Sequence, residues 1–135
     1  MKLLTTLLLF MFCAYGAMAQ QPPREFELEE GDTTYIMKSY VLCLLKAGPN
    51  RDHDSATAAT LQEGHLAHFN RLAEEGKIAM VGPMGDDTDL RGIIIFDVGT
   101  VEEARELESM DPMIQAGRLV MELHPWWTAK GSCLP

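Results

Sequence analysis

Proton transfer near neutral pH needs an imidazole, or a carboxyl tuned toward that range, and this chain has four histidines. Two of them, His65 and His68, fall in one run, residues 57–75, whose spacing predicts a helix. At about 100° per residue, Leu61, His65, Phe69 and Leu72 share one apolar stripe, with His68 at its edge. An imidazole inside such a stripe is either a satisfied packing residue or a working one. Asp111, directly before Pro112, is either a helix cap or a partner for a histidine. A carboxylate bound to one ring nitrogen sets the tautomer and raises the basicity of the other nitrogen. We therefore read His65 as the acid or base of a pair and Asp111 as its orienter.

The remaining candidates are weaker. His68 is three residues from His65, so the rings lie on adjacent helix faces. With Glu122 or His124 they could ligate a metal, but the spacing is one short of the i, i+4 pattern of helical zinc sites. Glu122 and His124 share a strand face with Val120, at a pocket rim or an exposed strand end. Asp52, His53 and Asp54 are loop neighbours that cannot all face one ion, and read as a solvated loop. The run 82–89 has glycines and acids but neither the Lys-Ser/Thr of a phosphate loop nor EF-hand spacing, and reads as a hairpin connection. Met80 and Met84 read as core or pocket lining, and Trp126 and Trp127 as packing or pocket walls.

These side chains need a frame. Residues 33–45 predict a strand whose second half is apolar on both faces. A turn-rich loop at 46–56 follows, and Ser55 or Thr57 can cap the helix, or Thr60 with Glu63 as a capping box. Gly76 is placed to end it, and residues 78–81 read as a short buried strand. Residues 90–98 return as a strand, with Gly92 marking a bulge or a close approach. Thr100 and Glu103 cap a second helix running to about Met110, with Val101, Ala104, Leu107 and Glu108 on its thin stripe. Asp111-Pro112 begins a new turn, and residues 118–124 form the last strand. With right-handed crossovers this β-α-β-β-α-β order gives an α+β domain, a four-stranded antiparallel sheet with two helices on one face. The uncovered face carries so much apolar surface that we expect a homodimer packed through its sheets.

At the N-terminus, Lys2, the apolar run Leu3–Phe12 and Ala17-Met18-Ala19 read as a secretory signal peptide over residues 1–19, too short to span a membrane. Bulky Phe12 before Cys13 argues against lipidation. The expectation is an exported protein, periplasmic or secreted, with no membrane association after cleavage. Residues 20–32 read as a flexible acidic leader, or alternatively a short added strand through Phe26 and Leu28. The domain then covers 33–127 and a polar tail 128–135. The formal charge is −9, and −10 without Lys2, which argues against nucleic-acid and anionic-membrane partners. Cys43 reads as a core thiol and Cys133 as a loose terminal one; pairing in an oxidising compartment is the alternative.

With His65-Leu66, Gly76, Gly82-Pro83, Asp111-Pro112 and Gly117 in this order, the chain from about Tyr35 to Trp126 resembles the YciI-related (YCII) family. The resemblance implies a ferredoxin-like fold, assembly as a dimeric α/β barrel, and an active site holding a His–Asp pair. The matching residues here are His65, Asp111 and Gly82-Pro83. His68 stands where a basic residue is frequent, and the leader, the export signal and Pro125-Trp126-Trp127 depart from the pattern. Most members have no assigned reaction; one relative resembles a dehalogenating lyase acting on a chlorinated hydroxyquinol.

The expectation is a small exported enzyme with lyase- or isomerase-like acid–base chemistry on a small organic substrate, needing no cofactor and no metal. His65 and Asp111 would be catalytic, and His68, Pro83, Glu122 and His124 would contact substrate. The alternatives are a non-catalytic ligand-binding or structural dimer, and a metal-dependent activity through His65 and His68.

Overall fold

The computed structural model describes residues 23–135; the signal-peptide reading and Cys13 lie outside them. Five strands and three helices follow one another as β1 (Glu25–Glu30), β2 (Thr33–Ala47), α1 (Ser55–Glu74), β3 (Ile78–Pro83), β4 (Leu90–Phe96), α2 (Val101–Glu108), α3 (Pro112–Gln115) and β5 (Leu119–Ala129). Every strand pairing is antiparallel. β5 runs along one edge of β2 from residue 37 to 47. β1 and β4 divide the other edge, β1 opposite residues 33–38 and β4 opposite 41–46, and β3 closes the far side. Without β1 this is the ferredoxin-like βαββαβ sheet with helices on one face, as expected.

Alternation along β2 separates the two faces. Val41, Cys43 and Leu45 point to the helices, with Ile94 and Phe96 of β4 beside them. Phe69 and Leu72 of α1, Ala104 of α2 and Met113 of α3 close this core from above. The opposite face carries Tyr40, Leu42, Leu44, Ile93 and Ile95, together with Val120, Glu122, His124 and Trp126. The tail bends back over one end of it, where Ser132, Cys133 and Leu134 flank a groove with Tyr40, Met80 and Ile95.

Three local readings change. The acidic leader, read first as flexible, is the alternative strand: Phe26 faces Met37 and Leu28 faces Tyr35 across the hairpin. Arg24 and Lys38 both bond Asp97, at 2.5 and 2.7 Å, so the leader is tied to the end of β4. The last strand runs to Ala129, past the expected domain end, because β2 supplies pairing partners that far. The α1 cap is Asp54, whose carboxylate accepts the Thr57 N–H at 2.7 Å, in place of Ser55 or Thr57. Thr100 caps α2 as expected, accepting from Glu103 N–H at 3.0 Å, while the Glu103 carboxylate reaches Gly99 N–H at 3.1 Å. Cys43 is buried, Cys133 is exposed, and both are free thiols.

Candidate active site

α1 and α3 bring the two ends of the pair together. Gly64, one residue before His65, lies against Pro112: a Cβ there would sit 3.0 Å from the proline Cγ. The missing side chain lets the start of α3 approach α1 closely. Pro112 occupies the first turn of α3, where its lack of an N–H costs nothing. Asp111 is the N-cap, and its Oδ1 accepts the Met113 N–H at 2.8 Å. The other oxygen, Oδ2, is 2.5 Å from His65 Nδ1. Asp111 is fully buried and His65 nearly so.

Burial works against the Asp111 charge, but the hydrogen bonds from His65 and the Met113 N–H outweigh it and hold the carboxyl below its ordinary value. An ionised Asp111 only accepts, so His65 Nδ1 carries the proton. The ring's other nitrogen, Nε2, makes no hydrogen bond among the described residues. His65 also lines a cavity of about 480 Å³ between α1, the ends of β3 and β4, and the start of β5. Pro83, Phe69 and Leu66 are among its apolar walls. Phe69 stacks at a tilt on the His65 ring with centroids 4.2 Å apart, which limits how the ring can turn.

Behind the pair lies a second buried carboxyl, Glu108, at the end of α2. Burial first, and the Asp111 charge second, push it up to about 9, so it is neutral at physiological pH. Among the described residues no hydrogen bond of ordinary geometry reaches either of its oxygens. Asp111 acts on it, and His68 Nε2 stands 3.9 Å from its Oε2. His68 Nδ1 lies 3.2 Å from Arg71 Nη2, a donor, so the neutral ring carries its proton on Nε2. Burial, the largest influence, pushes the His68 pKa down; the Asp111 charge opposes this and Arg71 reinforces it. Cys43 lies beneath the same carboxyls, and burial together with Glu108 and Asp111 pushes its thiol up to about 12. It is no nucleophile.

The structure thus brings together His65 and Asp111, and places Pro83 in the cavity wall. It does not bring the other expected contacts there. His68 faces Glu108 and Arg71, away from the cavity lining. Glu122 and His124 point from the opposite sheet face, since Glu122 lies across from Leu44 and His124 from Leu42. There Glu122 bonds Lys46 and accepts from His124 Nε2 at 2.8 Å. His65 and His68 are held by different partners, and among the described residues no three metal-ligating side chains converge. The Asp54 carboxylate is taken up by the α1 cap.

Sequence reasoning missed Glu108, which it counted into the α2 stripe. An acid at a stripe position is the same anomaly that singled out His65. It also missed Arg51, Arg91 and Arg118, which line the cavity from three separate segments. No spacing links them.

The chain is thus an antiparallel α+β domain in which a buried His–Asp pair opens on a cavity. A model of the YCII-related domain matches residues 39–126. The chain belongs to the YCII-related family. The uncharacterized protein YjpA of Bacillus subtilis (strain 168) is 30% identical over 63 residues, 47% of this chain and 72% of that protein. A solved structure, 5-chloro-2-hydroxyhydroquinone dehydrochlorinase (TftG) from Burkholderia phenoliruptrix AC1100 in complex with 2,5-dihydroxybenzoquinone, superposes with a TM-score of 0.49. It is 23% identical, with 64% of this chain and 92% of that chain covered.

Proposed function

We propose that the protein is a small enzyme in which His65 moves a proton to or from a small organic substrate bound in the adjoining cavity. One observation carries this reading: His65 Nδ1 is tied to buried Asp111 at 2.5 Å, while the ring lines the cavity. Asp111 holds the tautomer that leaves an Nε2 lone pair available, and its charge stabilises the imidazolium formed when His65 takes a proton. The proton comes off a carbon next to a carbonyl, and the electron pair left behind passes into the enolate. His65 then returns the proton to another carbon, an isomerisation, or to a leaving group expelled by that pair, an elimination. No cofactor is required for either.

The test is isotope exchange. Purified protein is incubated in D₂O with a panel of small carbonyl compounds, and deuterium entry at the acidic carbon is followed by NMR. The reading expects exchange with compounds that bind, and its loss in His65→Asn. Compounds that bind beside His65 without any exchange above the buffer rate would sink it.

The reading extends to assembly and location. The open sheet face, with Leu42, Leu44, Ile93 and Val120, supports a homodimer packed through that face. The signal-like N-terminus supports export, with Gln20 as the first residue of the exported form. The N-terminal mass of protein recovered from the periplasm or the medium tests the second point: a chain retaining Met1 contradicts it.

A further inference from the structure

We propose that the cavity beside His65 selects a small carboxylate, whose anionic end is held by Arg51, Arg91 and Arg118. This deepens the acid–base reading and depends on it for the position of the reacting carbon; the anion site itself stands without turnover.

Three arginines lining one cavity of about 480 Å³ form a local inversion in a chain of net charge −9. One acid acts on two of them: Asp87, whose carboxyl is held below its ordinary value by Arg91 and, more weakly, by Arg51. Among the described residues, neither Arg51 nor Arg118 has a carboxylate within 4 Å, whereas Arg24 and Arg71 each do. Arg91 bonds Asp87 at 2.8 Å, but the Asp87 side chain is 96% exposed, so that pair is weak and easily shared. Among the described residues the Arg118 guanidinium meets only a ring nitrogen, His53 Nδ1, 3.4 Å from its Nη1. A guanidinium offers two N–H donors along one edge, the spacing of the two oxygens of a carboxylate.

The frame around them is rigid. The loop before α1 and the turn before β5 are stitched together: Gly48 N–H donates to Arg118 O at 2.8 Å, Asn50 N–H to Gly117 O at 3.0 Å, and Asn50 Nδ2 to Ala116 O at 3.1 Å. Arg51 Nη1 donates to the Arg118 carbonyl at 3.1 Å. Gly117 has φ +68°, and a Cβ there would lie 2.6 Å from Asn50 Nδ2, so both backbone and contact demand glycine. Arg51 and Arg118 are thereby held side by side before any ligand arrives, which lowers the ordering cost of binding. A carboxylate docked on them gains charge-assisted hydrogen bonds and leaves the rest of the molecule against the apolar walls Leu66, Phe69 and Pro83.

The experiment compares benzoate, its neutral isostere benzamide, and inorganic phosphate, by calorimetry at low ionic strength with ligand-observed NMR in parallel. Benzoate is expected to bind at least about tenfold tighter than benzamide, and more weakly as salt is added. Arg118→Gln and Arg51→Gln are each expected to weaken benzoate by about tenfold or more. Arg51 is exposed, so its variant tests the site even where loss of the half-buried Arg118 disturbs folding. His65→Asn is expected to keep benzoate binding within about threefold while losing isotope exchange. Benzoate binding that depends on the arginines, with no exchange on any carbonyl compound, upholds the carboxylate site and removes the acid–base reading. Exchange on neutral compounds, with benzamide or phosphate binding as tightly as benzoate, upholds the acid–base reading and overturns the carboxylate site. Benzoate affinity untouched by both arginine substitutions also overturns it.

Discussion

Asp111 does two jobs with one carboxylate, and the two can be separated. Its Oδ1 caps α3 and its Oδ2 holds His65. In Asp111→Asn the amide oxygen keeps the cap, since Asn caps as well as Asp. The amide NH₂ then faces His65 Nδ1, which must accept, so the ring proton moves to Nε2 and the base is lost. We expect isotope exchange to fall by about 10²–10⁴-fold, the usual worth of acid–base catalysis, with the protein still folded through the retained cap but lower in melting temperature, since the carboxylate's charge-assisted bond to His65 is gone. Glu108 makes a different prediction. Its folded pKa, about 9, lies above its ordinary 4.5, so between these values the unfolded chain has released a proton that the folded chain keeps. The unfolded state therefore gains, and the Glu108 contribution to stability falls as pH rises from 4.5 to 9. Glu108→Gln removes this loss: its stability relative to wild type in a denaturant titration should rise across that window by up to about 1.4 kcal/mol per pH unit. A constant difference from pH 5 to 8 would show that Glu108 is ionised in the fold. Asp111 acts at the acid end, where its lowered carboxyl contributes stability above pH 3.8 that is lost as pH falls further.

At the scale of elements, the contact of Gly64 with Pro112 sets the separation of α1 and α3. A methyl at position 64 adds helix propensity worth up to about 1 kcal/mol, and overpacks the contact at a cost of about 1–3 kcal/mol. Gly64→Ala should therefore change the melting temperature little or modestly downward, yet reduce isotope exchange markedly, because α3 carries Asp111 with it when it moves. Exchange unchanged in this variant would mean that the pair tolerates a looser frame. These elements were largely legible in the sequence. The His65 stripe, the Thr100–Glu103 cap and the Asp111-Pro112 break are local patterns, and each occurs where its spacing put it. What escaped was set by distant parts of the chain. The acidic leader pairs as β1 because Arg24 and Lys38 meet Asp97, some sixty to seventy positions on. Asp54 outcompetes Ser55 as the α1 cap by one residue, a margin that composition does not resolve. The three arginines share a cavity only when β4 and the loops before α1 and β5 are folded together, and Glu108 meets Asp111 only when α2 is packed against the start of α3. The Glu122–His124 face was assigned correctly as a strand face, but which side of the sheet holds the cavity depends on packing.

For the whole molecule, the unresolved force is on the open side of the sheet. Val120 and Trp126 are exposed there, and the tail crosses only one end. A charge at Leu44, in the middle of this face, costs little in a monomer and much in a sheet-to-sheet dimer. Leu44→Lys, whose cation falls across from Glu122, should convert a dimer in sedimentation velocity into a folded monomer; a wild-type monomer at micromolar concentration would dismiss the dimer. The cavity opens on the helix side, with His65 and Asp111 both supplied by one chain, so the monomer is expected to retain benzoate binding. Helix packing, carboxylate burial and the cavity all converge on the protonation state of a single ring. Long-range ¹H–¹⁵N correlation spectra of the wild-type protein at pH 7.5 read it directly. The account predicts His65 with its proton on Nδ1 and a strongly deshielded proton resonance that vanishes in Asp111→Asn. A proton on Nε2 in the wild type, unchanged by that substitution, would contradict it.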